Sequence, residues 1–243
     1  MVCVSARKVT LGQVGFLGFF FIFLLVFSGC SRALNSTTRR NVNASELYRD
    51  SAFGREHLER AGVTCLAARL SFGDETYGRA LVQGMVETLH THLSGRGIVH
   101  PNLAASHINE AGLAEDYAKM LAAYDETNIL DRKTLRKITA AVRVRYFVVP
   151  ILVNFQEGGS TRLSVFGVRL ARTAWANARF QLQIWDGQSG RIVWEGMSDL
   201  TLAQELLGEQ PVRFENIIAA TWESIVEKIP SNSVAPAQAD EPA

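Results

Sequence analysis

Cysteine, proline and histidine are all scarce in this chain, and neither sign of charge dominates it. Of 243 residues, three are cysteine, six proline and five histidine, and 25 Lys and Arg stand against 24 Asp and Glu. That balance gives no basic footprint for nucleic acid, no polybasic stripe for a membrane surface, and no acidic excess of the kind seen in disorder or calcium binding. Electrostatics therefore names no partner, and nucleic acid is not expected.

The histidines give no metal site. His90 and His92 share a helical segment but lie about 160° apart around it. His107 and Glu110 have helical ligand spacing, yet two ligands without a third or fourth are weak, and a surface pair is expected. His57 and His100 have no companion at a recognisable spacing. Nucleotide chemistry fares no better. The loop Gly73-Asp-Glu-Thr-Tyr-Gly78 is followed by Arg79 and Ala80, where a phosphate loop needs Lys and then Ser or Thr; Asp74 and Glu75 would also repel the anion. There is no Gly-x-Ser-x-Gly elbow, and Gly158-Gly159-Ser160 reads as a loop between strands. No catalytic constellation, metal site or cofactor site is expected, and the chain is not read as an enzyme.

What is present begins at the amino end. Arg7 and Lys8 precede an apolar run from Val14 to Phe27, about fourteen residues against the roughly twenty of a spanning helix, and Ser28-Gly29-Cys30 follows. This is the pattern of a secretory signal. Ser28-Gly29-Cys30 also resembles the lipobox of bacterial lipoproteins. That resemblance implies a signal peptide over 1–29, acylation of Cys30 after cleavage and attachment to a membrane, with Ser31 pointing to the outer membrane. Cys3 would leave with the signal and Cys30 would be acylated, leaving Cys65 without an intrachain partner. It sits in Val63-Thr-Cys-Leu-Ala-Ala68, where a small buried hydrophobe is expected rather than a reactive thiol.

From Cys30 to residue 60 the sequence is polar and without a period, so a flexible tether is expected there; a polar tail is expected over 230–243. The interval 61–229 is long enough for one domain with one core. Thr64–Ser71 predicts a strand. Thr76–Leu93 predicts a helix with Leu81, Val82, Met85, Val86, Leu89 and Leu93 in one arc of about 140°. Asn102 predicts a helix start running to Ala111. Leu113, Tyr117, Met120, Leu121 and Tyr124 carry a further stripe, and Asp131 caps a helix with Leu135, Ile138 and Val142 inward. Tyr146–Val153 is continuously apolar, a strand covered on both faces with a bulge expected at Pro150. Arg162–Leu170, the alternating stretch from Ala178 to Ile184, and Arg191–Thr201 predict an antiparallel meander, turned at Asp186-Gly-Gln-Ser-Gly190. Phe214 to Ile229 predicts a closing helix. The fold class is α/β to α+β: a mixed sheet with helices packed on it and a C-terminal antiparallel meander.

The distinctive surface lies along the meander. Arg169, Arg172, Trp175 and Arg179 alternate with small residues, as in a binding hot spot or, more plainly, a solvated sheet face. The lipobox, the polar stretch and the segment Trp185-Asp186 to Ile192-Val-Trp-Glu195 together resemble periplasmic lipoproteins of the LpoB, CsgG and TolB amino-domain type. What the resemblance implies is a non-enzymatic, lipid-anchored module of the periplasm that binds another envelope protein or assembles with itself. The alternative is an oligomeric subunit of an outer-membrane export channel, whose signature would be a lipid-facing alternating hairpin.

Overall fold

The computed structural model of the protein describes residues 38–71, 75–93, 97–165, 168–206 and 214–231. The expected signal segment, Cys30 and the expected tail from 232 lie outside these residues. In chain order the elements are β1 (Thr38–Arg49), α1 (Arg55–Ala61), β2 (Val63–Cys65), β3 (Arg69–Leu70), α2 (Glu75–His92) and α3 (Pro101–Glu110). Then follow α4 (Ala114–Thr127), α5 (Arg132–Val142), β4 (Tyr146–Val165), β5 (Val168–Asp186), β6 (Arg191–Leu206) and α6 (Phe214–Val226). The strands form one mixed sheet of order β1-β6-β5-β4-β2, with β3 also on β4. β2 and β3 run parallel to β4, and the other pairs are antiparallel. The fold is α+β, with the expected C-terminal meander.

Side-chain alternation along the strands feeds two cores. Val148, Leu152, Phe180, Leu182 and Ile184 pack with Leu81, Met85 and Leu89 of α2 and with Ile217, Trp222 and Ile225 of α6. On the opposite face Phe147, Val149, Ile151 and Trp185 pack with Ile108 of α3, Met120 and Tyr124 of α4, and Leu135 and Ile138 of α5. A polar residue in the second core is fully engaged. Gln183 Oε1 accepts from the Tyr124 hydroxyl at 2.7 Å and from the Trp185 indole N–H at 3.1 Å, and its amide nitrogen donates to Glu195 at 3.2 Å. Buried polar groups persist only on such terms. Burial pushes the Tyr124 phenol up to about 12, and it pushes the Cys65 thiol up to about 12 as well.

Several expectations need correction. The segment expected as a tether contains β1 and α1. β1 is an edge strand, and only Val42 and Ala44 of it lean on the core, so its sequence shows almost no period. Polar, charged residues are what an edge strand carries. The strand expected over Thr64–Ser71 is two pieces. Tyr146 N–H donates to the Gly62 carbonyl at 3.1 Å, Leu66 N–H to Val148 at 2.9 Å and Ser71 N–H to Leu152 at 3.0 Å, so alternate residues of β4 face β2 and β3. Pro150 shares that parity and has no N–H to give, and the break between Cys65 and Arg69 lies opposite it. Pro150 still pairs with Leu182, and the first register shift of β4 falls between Leu152 and Asn154. Gly158-Gly159-Ser160 lies inside β4 rather than in a loop, and the expected strand Arg162–Leu170 is divided between β4 and β5. Asn102 is not the cap of α3: His100 is, and its Nδ1 accepts from the Asn102 N–H at 3.2 Å.

Candidate functional site

Helices α3, α4 and α5 cover only the near end of their face of the sheet, and beyond Val153 the described residues leave that face open. The register aligns four strands there, β1, β6, β5 and β4. One row across them is Asn43, Asp199, Arg179 and Asn154. The next is Asn41, Thr201, Asn177 and Gln156, and the next is Arg39, Ala203, Trp175 and Gly158. With strands about 4.8 Å apart and rows about 6.8 Å apart, these rows span roughly 14 by 14 Å. The reverse side of the same stretch of β5 is closed, with Ala174, Ala176, Ala178 and Phe180 all buried.

Trp175 is 38% exposed. Its indole lies over Gly158 in the neighbouring strand: a Cβ placed on that glycine would stand 2.6 Å from Cζ2 and 2.7 Å from Cε2. Gly158 therefore lets the ring settle onto the sheet, and any side chain there would push it off. Arg179 spans to Asp199 in a two-pronged bridge, Nε to Oδ1 at 2.7 Å and Nη2 to Oδ2 at 3.3 Å. The hydrogen bond to Asp199 raises the Arg179 guanidinium pKa, and the pair cancels its own charge.

Of the four residues expected to form a partner face, β5 brings Trp175 and Arg179, four residues apart, onto this open surface. Arg169 pairs through its backbone with Ser164, and Arg172 with Thr161 and Leu206; their side chains lie outside the description. The sequence reading missed the amides. Asn41 and Asn43 stood in the supposed tether, and Asn154 and Gln156 stood beyond the predicted end of their strand. The alternation of Asn154, Gln156 and Gly158 on β4 is the signal that could have found them.

Elsewhere, a cavity of about 460 Å³ opens between α2 and α3 beside the break in the β2–β3 edge, with Ala68, Leu70, Val82 and Pro101 on its apolar walls and Arg79 and His100 among its polar ones. His107 Nδ1 stands 3.5 Å from Glu110, the expected surface pair. Among the described residues no group of three or more His, Cys, Asp or Glu side chains could hold a metal ion, and no helix is long and apolar enough to cross a membrane.

No protein-family model matches the chain, and no curated protein matches its sequence. Among solved structures, the PelC dodecamer from Paraburkholderia phytofirmans is similar at 11% identity and a TM-score of 0.41, covering 82% of this chain and 99% of that one. Lipoprotein GNA1162 from Neisseria meningitidis is similar at 9% identity and a TM-score of 0.42, over 70% and 97%. The LpoB C-terminal domain from Salmonella enterica is similar at 15% identity and a TM-score of 0.31, over 57% and 82%. Likenesses this distant carry no argument about function.

Proposed function

We propose that this chain is an exported, lipid-anchored, non-enzymatic binding module that meets another component of the bacterial cell envelope through the open face of its sheet. The observation that carries the reading is that face itself: four strands wide, uncovered among the described residues, and bearing an exposed Trp175 seated on Gly158. A large aromatic lying at the surface against its neighbour strand supplies contact area with few rotatable bonds to order. The signal-like run and Ser28-Gly29-Cys30 support an anchor at Cys30 in the outer membrane with the domain in the periplasm.

Two measurements test this. Mass analysis of the mature chain is expected to find an acylated Cys30 as its first residue, and an intact Met1 would overturn the anchor. Affinity capture from envelope extracts with the wild-type domain and with Trp175→Ala is expected to differ, and identical recovery from both would reject the face. The second reading, a subunit of an oligomeric export channel, is favoured by one feature: no described strand pairs with the outer edge of β4 beyond Leu152 or with the outer edge of β1. Open edges on opposite sides of one sheet permit head-to-tail pairing of copies. Sedimentation of the domain lacking residues 1–30 decides between them, a monomer counting for the binding module.

A further inference from the structure

The composition of the open face is not what a strand asks for. Five of its twelve aligned positions carry side-chain amides, four of them Asn, and Gly158 and Gly159 lie in the interior of β4. Asn and Gly are depleted in strands, because Asn competes locally for backbone hydrogen bonds and Gly offers nothing to pack. Positions that break local rules on a well-formed sheet are where function is expected to override folding. The face also differs from a protein-docking surface, whose buried centre is apolar and rich in aromatics. Here Trp175 is joined by little more than Ala203, and amides and a hydroxyl surround it. Nor does the face attract an ion, since Arg179 and Asp199 neutralise each other within it and Arg39 stands at the margin.

From this we infer that the open face binds a neutral glycan chain, with Trp175 as stacking platform and Asn154, Gln156 and Asn177 as hydroxyl-binding groups. The chemistry matches at each point. A pyranose ring presents a flat C–H face that packs on an indole, and each hydroxyl both donates and accepts. A side-chain amide carries a donor and an acceptor side by side and can answer both with no net charge. A shallow sheet without walls suits a polymer that lies across it rather than a small molecule that must be enclosed. The inference rests on the reading of this face as the binding surface and gives that surface its ligand class.

Trp185, Trp194 and Trp222 are buried at 4%, 0% and 0% exposure, so an aqueous quencher reports on Trp175. The test titrates the mature chain with chitohexaose and, separately, cellohexaose, reading protection of tryptophan fluorescence from acrylamide. Saturable protection is expected in the wild-type chain, and calorimetric titration with the same sugars is expected to lose the binding in Trp175→Ala and to weaken it at least tenfold in Asn154→Ala/Gln156→Ala, with unchanged thermal melting showing both variants folded. The two sugars distinguish an N-acetylated from a plain glucan strand. Oligogalacturonate, which is acidic, is expected to bind no better than either. No protection up to millimolar hexasaccharide overturns the glycan inference. If capture from extracts nevertheless depends on Trp175, the face binds a protein instead and only the ligand class has failed. If neither depends on it, the face itself is rejected.

Discussion

At the scale of single residues, the bridge between Arg145 and Asp186 anchors one end of the meander. Arg145 Nη2 lies 2.8 Å and Nε 3.1 Å from the Asp186 carboxylate, and the Gln188 N–H donates to the same carboxylate at 2.9 Å. Burial alone would raise this carboxyl pKa, but the Arg145 guanidinium and the N–H groups of Gln188 and Ser189 outweigh it and hold the group below its usual value. A depressed carboxyl stabilises the fold above its unfolded pKa, about 4, and loses that contribution as pH falls through the folded value. Asp186→Asn is therefore expected to cost about 2 kcal/mol at neutral pH and to flatten the acid limb of a stability–pH curve taken by urea melts. An unchanged slope between pH 5 and 2 would show that the bridge does not set it. Cys65 makes a second test at this scale. Enclosed and with its thiol pushed up to about 12, it is expected to resist iodoacetamide at pH 8 in the native chain and to react on unfolding. Rapid labelling of the folded domain would place it at the surface.

At the scale of elements, the closed side of the sheet depends on how tightly α6 lies against α2. Gly84 sits at their crossing, where a Cβ would run into the Ile218 side chain, and the Trp222 indole N–H donates to the Leu81 carbonyl at 3.1 Å. Gly84→Leu is expected to force the helices apart and cost about 2 kcal/mol, a loss of several degrees in melting temperature; an unaltered melt would mean the crossing yields freely. Elements of this kind were the legible part of the sequence. The stripes of α2 and α5 repeat every three to four residues, Asp131 caps α5 through the Thr134 N–H at 2.8 Å, and Ala178 to Ile184 alternate as a strand does. What was illegible has physical causes. β1 leans only two residues on the core and so leaves no pattern. β4 passes from a stretch covered on both faces to one open on a face, and its period changes at Asn154, which is why its second half reads as loop. His100 caps α3 through its ring nitrogen, a role for which Asn102 is the commoner residue.

At the scale of the whole molecule, the position of β1 moves the start of the fold. The polar stretch expected as a tether to residue 60 is structured from Thr38 onward. β1 is the first strand of the described fold. Its contribution to the fold is specific. Val42 and Ala44 pack on the core, the Trp194 indole N–H donates to Glu46 at 3.1 Å, and β1 covers the edge of β6 along most of its length. Removing it uncovers a strand with alternating buried positions and free backbone donors, the circumstance in which sheets pair edge to edge. A chain beginning at Ser31 is accordingly expected to melt cooperatively and sediment as a monomer. A chain beginning at Asp50 is expected to melt several degrees lower and to associate as its concentration rises. Equal melting and equal sedimentation of the two would show that the sheet is complete without β1, and would return the whole stretch before α1 to the role of a leash.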